Sequence, residues 1–320
     1  MNTFYLMFQQ TLMIAIAIAM VALGAMFAER SGVINIALEG IMVFGAFFGV
    51  LYISKIQGAE STINPQIMYL IGMLLAAVAG VIASLLLAFA SINLKADQTI
   101  GGTAINMFIP AIALFIARTL NNTQNITFKN SYYLADKLFL SKIPVIGDLF
   151  FKNTYISIYI GFAILLLVIF IIYKTRFGLR LVSCGEHPQA ADSVGINVKK
   201  MRYLGVIISG ILGGIGGYMY VTVSVGTFNC SVNGYGFLAI AVMIFGQWKP
   251  GKIFLAAIFF AFFMVLGSFY TVIPLLLNTG IPGDVYKMLP YIATLIILAF
   301  TSKKSRAPKA EGIPYDKGQR

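Results

Sequence analysis

Charge is scarce in this 320-residue chain: 11% of residues are Asp, Glu, Lys or Arg, against about 25% in an ordinary soluble domain. Histidine and tryptophan occur once each and cysteine twice. The lone His187 excludes a histidine-rich metal site. Cys184 and Cys230 have neither metal-ligand spacing nor the density of a disulfide framework. There is no Walker A sequence, no H-E-x-x-H, no G-x-S-x-G and no paired-carboxylate pattern, so nothing points to catalysis by this chain. The run Gly210–Gly217 resembles a dinucleotide loop only superficially. It lies inside an apolar segment with no strand before it, and that reading is rejected.

What is present is apolar. Hydrophobic residues make up 59% of the chain, and mean hydropathy is +0.88. So few charges cannot cover that much apolar surface in water, so the composition excludes a soluble, disordered or collagen-like protein and indicates an all-α polytopic membrane bundle. Nine segments approach membrane-spanning length: 4–27, 35–54, 67–92, 100–118, 155–173, 203–225, 234–247, 253–277 and 288–300. The expectation is 9–10 crossings. The first segment lacks the basic start of a signal peptide and reads as a retained membrane helix. The seventh and ninth are short for a plain crossing, the pattern of broken or partial helices.

The net charge of +12 follows the alternation of these segments. If loop 174–202 is cytoplasmic, then 28–34, 93–99, 248–252 and the tail 303–320 share its side. Those regions hold 16 of the 23 basic residues. The bias predicts an outer N-terminus and a cytoplasmic C-terminus, and it removes nucleic acid as the reason for the charge. The outer loop 119–154 is either a small cap or a plain connector.

Four clusters could carry function. Glu39, in Glu29–Gly40 (ERSGVINIALEG), is the only acidic residue placed inside a predicted membrane segment. It either serves a substrate path or reaches the headgroups from a helix end; Asn35 beside it supplies hydrogen bonds. Gly101–Asn106 (GGTAIN) opens the fourth segment, with Gly102, Thr103 and Asn106 placed either to meet a polar ligand or to cap a helix. Asn233–Phe237 and Gly246–Gly251 bracket the short seventh segment as expected of a discontinuous helix near a substrate path. Within them Trp248 reads as an interfacial anchor. In loop 177–197, Pro188 and Gly195 suit the two ends of a short helix over about 188–194. It reads as a docking element or a connector. A faint internal repeat aligns 35–45 with 236–246, five segments apart, which inverts the second copy. Small residues at Gly72, Ala76, Gly80 and Ser84, and at Gly210, Gly213, Gly214 and Gly217, suit close helix packing.

At these motifs the sequence resembles a known family. ERSGVINIALEG, GGTAIN, FGLRLVSCGEHPQAADSVGIN (177–197), KMRYLG (200–205) and GIPYDKG (312–318) are similar to permease subunits of ABC importers in the branched-chain amino acid, ribose and simple-sugar permease superfamily. The resemblance is strongest to the shorter permease of bacterial nucleoside and simple-sugar importers. It implies a cobalamin-importer-like fold of two inverted halves, about 1–120 and 203–302, within a membrane domain 1–302. It implies a coupling helix in loop 174–202, with Gly185, Glu186, Pro188, Ala190, Ala191, Gly195 and Asn197 facing a cytoplasmic ATPase. It further implies a longer permease paralogue as pore partner, an extracytoplasmic substrate-binding lipoprotein, and ATP and Mg on the ATPase, with no cofactor on this chain. The expected place is the bacterial plasma membrane, in contact with lipid, and the expected cargo is a purine nucleoside or simple sugar. An ion-coupled secondary transporter is the alternative.

Overall fold

The computed structural model describes residues 2–58, 63–129, 132–134, 149, 154–273, 280–301 and 307–318. The described helices are α1 (Asn2–Arg30), α2 (Leu38–Gly58), α3 (Pro65–Ala88), α4 (Gln98–Asn121), α5 (Ile156–Lys174), α6 (Arg176–Glu186), α7 (Pro188–Ser193), α8 (Val198–Ser224), α9 (Tyr235–Phe245), α10 (Pro250–Phe269) and α11 (Gly283–Thr301). A π turn, Phe89–Asn93, continues α3. Among the described residues seven helices are long and apolar enough to cross a membrane: α1, α2, α3 with its π turn, α4, α5, α8 and α10. Much of loop 119–154, including 135–148, lies outside the described residues. Its beginning pairs Ile126–Thr127 (β1) antiparallel with Thr227–Phe228 (β2).

α1 and α8 form the centre. α1 is apolar on every face and nearly wholly buried, as such a helix must be. α8 carries the glycine stripe that lets three helices meet backbone to backbone. A Cβ on Gly80 of α3 would lie 2.0 Å from the Gly210 carbonyl oxygen, and one on Gly214 would lie 2.2 Å from the Ala76 carbonyl oxygen. From α2, a Cβ on Gly45 would lie 2.4 Å from the Gly214 Cα. Without a hydrophobic drive between helices in lipid, such approach supplies the packing energy. The outer helices show Leu74, Ile82, Phe108, Leu166 and Phe170 to the surroundings, which suits contact with lipid tails.

The loops sort onto two faces. On one, Arg30 approaches Glu186 (3.9 Å), Tyr203 donates to Asn93 (2.9 Å) and Lys95 meets Asp316 (2.7 Å). We call this the basic face. On the other, Ser54 donates to the Thr127 carbonyl (2.9 Å) and Gln57 to Tyr132 Oη (2.6 Å).

Two elements differ from the sequence expectation in a way that matters. The second segment is not helical from residue 35. Val33–Ala37 is irregular and mostly buried, and the helix begins at Leu38. Trp248 is not an interfacial anchor. It is 5% exposed, and its indole N–H donates to the Glu29 carboxylate at 2.5 Å. A buried carboxylate needs a donor, and this one outweighs the ring's preference for the headgroup level.

Candidate substrate path and docking face

The break before α2 sits deep in the bundle. Asn35 Nδ2 donates to Ser209 Oγ at 2.8 Å. Ser209 lies eleven residues after Val198, so about 16 Å of helical rise separates it from the start of α8. Ile41 packs on Gly213, near the middle of that helix. Irregular backbone at this depth must be satisfied by protein, and two side chains do it with three hydrogen bonds. Gln98 Oε1 accepts from Ile34 N (2.7 Å), and Asn106 Oδ1 accepts from Gly40 N (2.8 Å). Asn106 Nδ2 donates to the Ile36 carbonyl (2.8 Å). Gly102 permits the approach, since a Cβ there would lie 3.0 Å from Ile36 Cβ.

α9, of eleven residues, is too short to cross a membrane. It starts beside the beginning of α2 and runs to the basic face, where the Trp248 carbonyl accepts from Arg30 Nη2 (3.1 Å). α2 runs the other way, to the face of Ser54 and Gln57. The two N-termini therefore meet inside the bundle, and Glu39 joins them. Its Oε1 accepts from Gly234 N (2.8 Å) and its Oε2 from Gly236 N (2.7 Å). Gly234 takes φ +82° at the cap and has no side chain to offer, so the carboxylate of another helix caps α9. The positive ends of two helix dipoles converge on one negative charge. The Tyr220 and Tyr235 rings lie 3.9 Å apart, centroid to centroid, at the start of α9.

The six residues read as a substrate path thus separate. Glu39 is half-buried at the meeting point. Asn233, at φ +53°, is exposed just before α9, with its N–H donating to Ser231 Oγ (3.1 Å). Thr103 is exposed on α4, and its hydroxyl donates to the Ile100 carbonyl (2.9 Å). Asn35 is 1% exposed, Gly102 is buried, and Asn106 spends both ends of its amide on backbone. These last three lie along the break.

The loop segment is a pair of short helices on the basic face. Thr175 Oγ1 accepts from Gly178 N (3.2 Å) to start α6, His187 Nδ1 accepts from Ala190 N (3.4 Å) to start α7, and Asn197 Oδ1 accepts from Lys200 N (2.9 Å) to start α8. A Cβ on Gly185 would lie 2.4 Å from the Arg30 carbonyl oxygen, which fixes the loop against α1. Pro188 is buried and Gly195, at φ +83°, is open to its surroundings. Ala190 is exposed, whereas Ala191 is 3% exposed and faces the bundle.

Three features on this face escaped the sequence reading. Glu29, placed there in a cytoplasmic loop, is 4% exposed in the last turn of α1. Arg202 is 1% exposed; its Nη1 donates to the Ile313 carbonyl (2.9 Å), while Nε and Nη2 have no hydrogen-bond partner among the described residues. Residues 307–318, read as a basic tail, lie along the face as a strap. In it Glu311 lies beside Glu29, and burial pushes its carboxyl above the usual range. Asp316 is held below that range by the bond from Lys95. A basic residue opening an apolar segment, as in KMRYLG, was the available signal for Arg202.

Comparison with known proteins agrees with this architecture. Residues 7–298 match the family described as branched-chain amino acid transport system, permease component. The guanosine ABC transporter permease protein NupQ of Bacillus subtilis is 40% identical over 97% of this chain and 96% of its own length. The nucleoside ABC transporter permease protein NupC of Lactococcus lactis is 37% identical over 99% of each. The nucleoside ABC transporter permease protein NupB of the same organism is 24% identical over 93% of this chain and 82% of its own. A multi-pass bundle matched over nearly its whole length leaves one assignment: the chain belongs to the branched-chain amino acid transport system permease family.

Proposed function

We propose that this chain is the shorter permease subunit of an ATP-driven nucleoside importer, with guanosine as the first substrate to test. The observation that carries the reading is the pair of opposed helix N-termini joined at Glu39. Broken helices whose N-termini converge are a recurrent way to build a transport path, because one small rotation of either half changes the contacts at the centre. The relatives' nucleoside names supply the substrate class. A nucleoside also suits the chemistry: its hydroxyls are donors for the Glu39 carboxylate, and its base can stack on an aromatic ring such as Tyr235.

In this reading the pore forms between this chain and a longer paralogue, as NupB and NupC are two permeases of one organism. A cytoplasmic ABC ATPase binds ATP and Mg and docks on α7, and a substrate-binding lipoprotein delivers the cargo. The C-terminus is cytoplasmic, as the distribution of Lys and Arg favours. The halves related by the 35–45 and 236–246 repeat rock when the ATPase closes. Each state is populated according to its contacts with the partners.

The test is uptake of labelled guanosine, adenosine and ribose with and without the gene. The expected result is gene-dependent guanosine uptake that survives collapse of ion gradients and fails when ATP is depleted. Uptake that follows the ion gradient, or ribose uptake alone, overturns it.

A further inference from the structure

The strap 307–318 is attached by backbone and by charged side chains, and it leaves the Ile313 side chain in the open. Ala310 N donates to the Gly185 carbonyl (2.8 Å) and Gly312 N to the Gly32 carbonyl (3.3 Å), and the Ile313 carbonyl receives Arg202. Lys317 lies 3.8 Å from Asp192. These contacts reach α7 from both sides, since Gly185 precedes it and Asp192 lies in it. Yet Ile313 is 58% exposed, and Val194, which ends α7, is 74% exposed. Both lie outside the apolar helices, where water rather than lipid is the expected solvent, and where a large exposed side chain marks a contact only if others join it. Ile313 is joined by the other residues of a groove of about 300 Å³. One wall is Glu186–Gln189, and the other is Lys309, Ala310 and Ile313–Tyr315. A strap that served only to tie helices together would turn its isoleucine inward. This one spends its backbone on the fold and presents the side chain.

We propose that the strap is the second half of the surface on which the ATP-hydrolysing subunit docks. An edge of that subunit enters the groove and touches α7 and Ile313 together. The exposed Lys309 on the groove wall suits an apolar edge with an acidic rim. The proposal rests on the reading of α7 as the docking helix, and its test separates the two.

The transporter is co-expressed with its own ATPase and partner permease. A photo-crosslinking phenylalanine analogue replaces Ile313, or Leu74 on the outward face of α3 as reference. The expected result is an ATPase adduct from position 313 and none from 74. An adduct to lipid, or to a second copy of this chain, overturns the proposal. Separately, Ile313→Asp and Ala190→Glu are each expected to lower the ATPase retained in purification at least tenfold. Retention with Ile313→Asp but loss with Ala190→Glu overturns the strap and leaves α7. The reverse overturns α7 and leaves the strap, and retention with both overturns both. If Ile313→Asp fails to accumulate, the crosslink decides, because the analogue keeps position 313 apolar.

Discussion

The carboxylate of Glu39 and the backbone of Gly236 are joined across 197 residues of sequence by a 2.7 Å hydrogen bond. With the matching bond to Gly234, it makes one side chain the cap of a helix it does not belong to. An amide has a single acceptor oxygen and no charge, so Glu39→Gln loses at least one of the two bonds and the dipole interaction. A bond to a charged group contributes roughly 1.5–3 kcal/mol, and about 1.4 kcal/mol is a factor of ten. Guanosine uptake, normalised to permease in the membrane, should fall by about tenfold or more. Wild-type uptake by this variant would show that the cap has no part in transport.

Asn106 holds the broken backbone with both ends of its amide. Asn106→Ala strips Gly40 N and the Ile36 carbonyl of their partners, at roughly 1–3 kcal/mol for each group left buried. Asn106→Asp restores an acceptor for Gly40 but sets a second oxygen against Ile36. Both variants should melt several degrees lower in detergent, and recovery of the wild-type melting point by Asp would contradict the assigned amide orientation.

Close helix approach predicts a contrast among glycines. At Gly214 a Cβ meets the Ala76 carbonyl oxygen at 2.2 Å, and backbone cannot yield as a side chain can. At Gly251 nothing lies within 4 Å. Gly214→Ala should cost about 1–3 kcal/mol or prevent accumulation altogether, while Gly251→Ala should leave melting unchanged. Equal behaviour of the two in a thermal-shift assay would refute the backbone contact.

Ala190 and Ala191 have equal standing in the sequence and different standing in the structure. Ala190→Glu should spare folding and weaken ATPase co-purification. Ala191→Glu should destabilise the permease itself, because a carboxylate is forced into a buried position. Size-exclusion profiles of the two variants, compared with their ATPase content, distinguish these effects.

Burial raises the Glu311 carboxyl above its unfolded value, with Glu29 beside it. A carboxyl raised in this way favours the folded state when protonated, and that contribution is lost as pH rises through the raised value. Glu311→Gln should therefore raise the melting temperature at pH 8 and give little gain at pH 4. A gain that is independent of pH would locate the effect elsewhere.

The membrane helices are legible in the sequence because length and apolarity alone define them. The break at Val33–Ala37 is not, because no proline or charge marks it. Its stabilisers, Gln98 and Asn106, lie some seventy residues away. The meeting of α2 with α9 shows in outline, through the short glycine-bracketed segment and the isolated Glu39. The strap is illegible for a plainer reason: twelve residues without periodicity look like tail until Arg202 and Gly185 are seen to hold them. Trp248 misleads because its usual place at an interface is a property of the residue type, whereas its actual place is set by Glu29.

Arg202 carries the last consequence. Its guanidinium is buried, cannot discard its proton, and finds a hydrogen-bond acceptor at the Ile313 carbonyl. On the ribosome, that acceptor is made more than a hundred residues after the arginine. Among the described residues that carbonyl is the hydrogen-bond acceptor the guanidinium has. The strap thus supplies the acceptor that lets a buried arginine stand at the foot of the central helix.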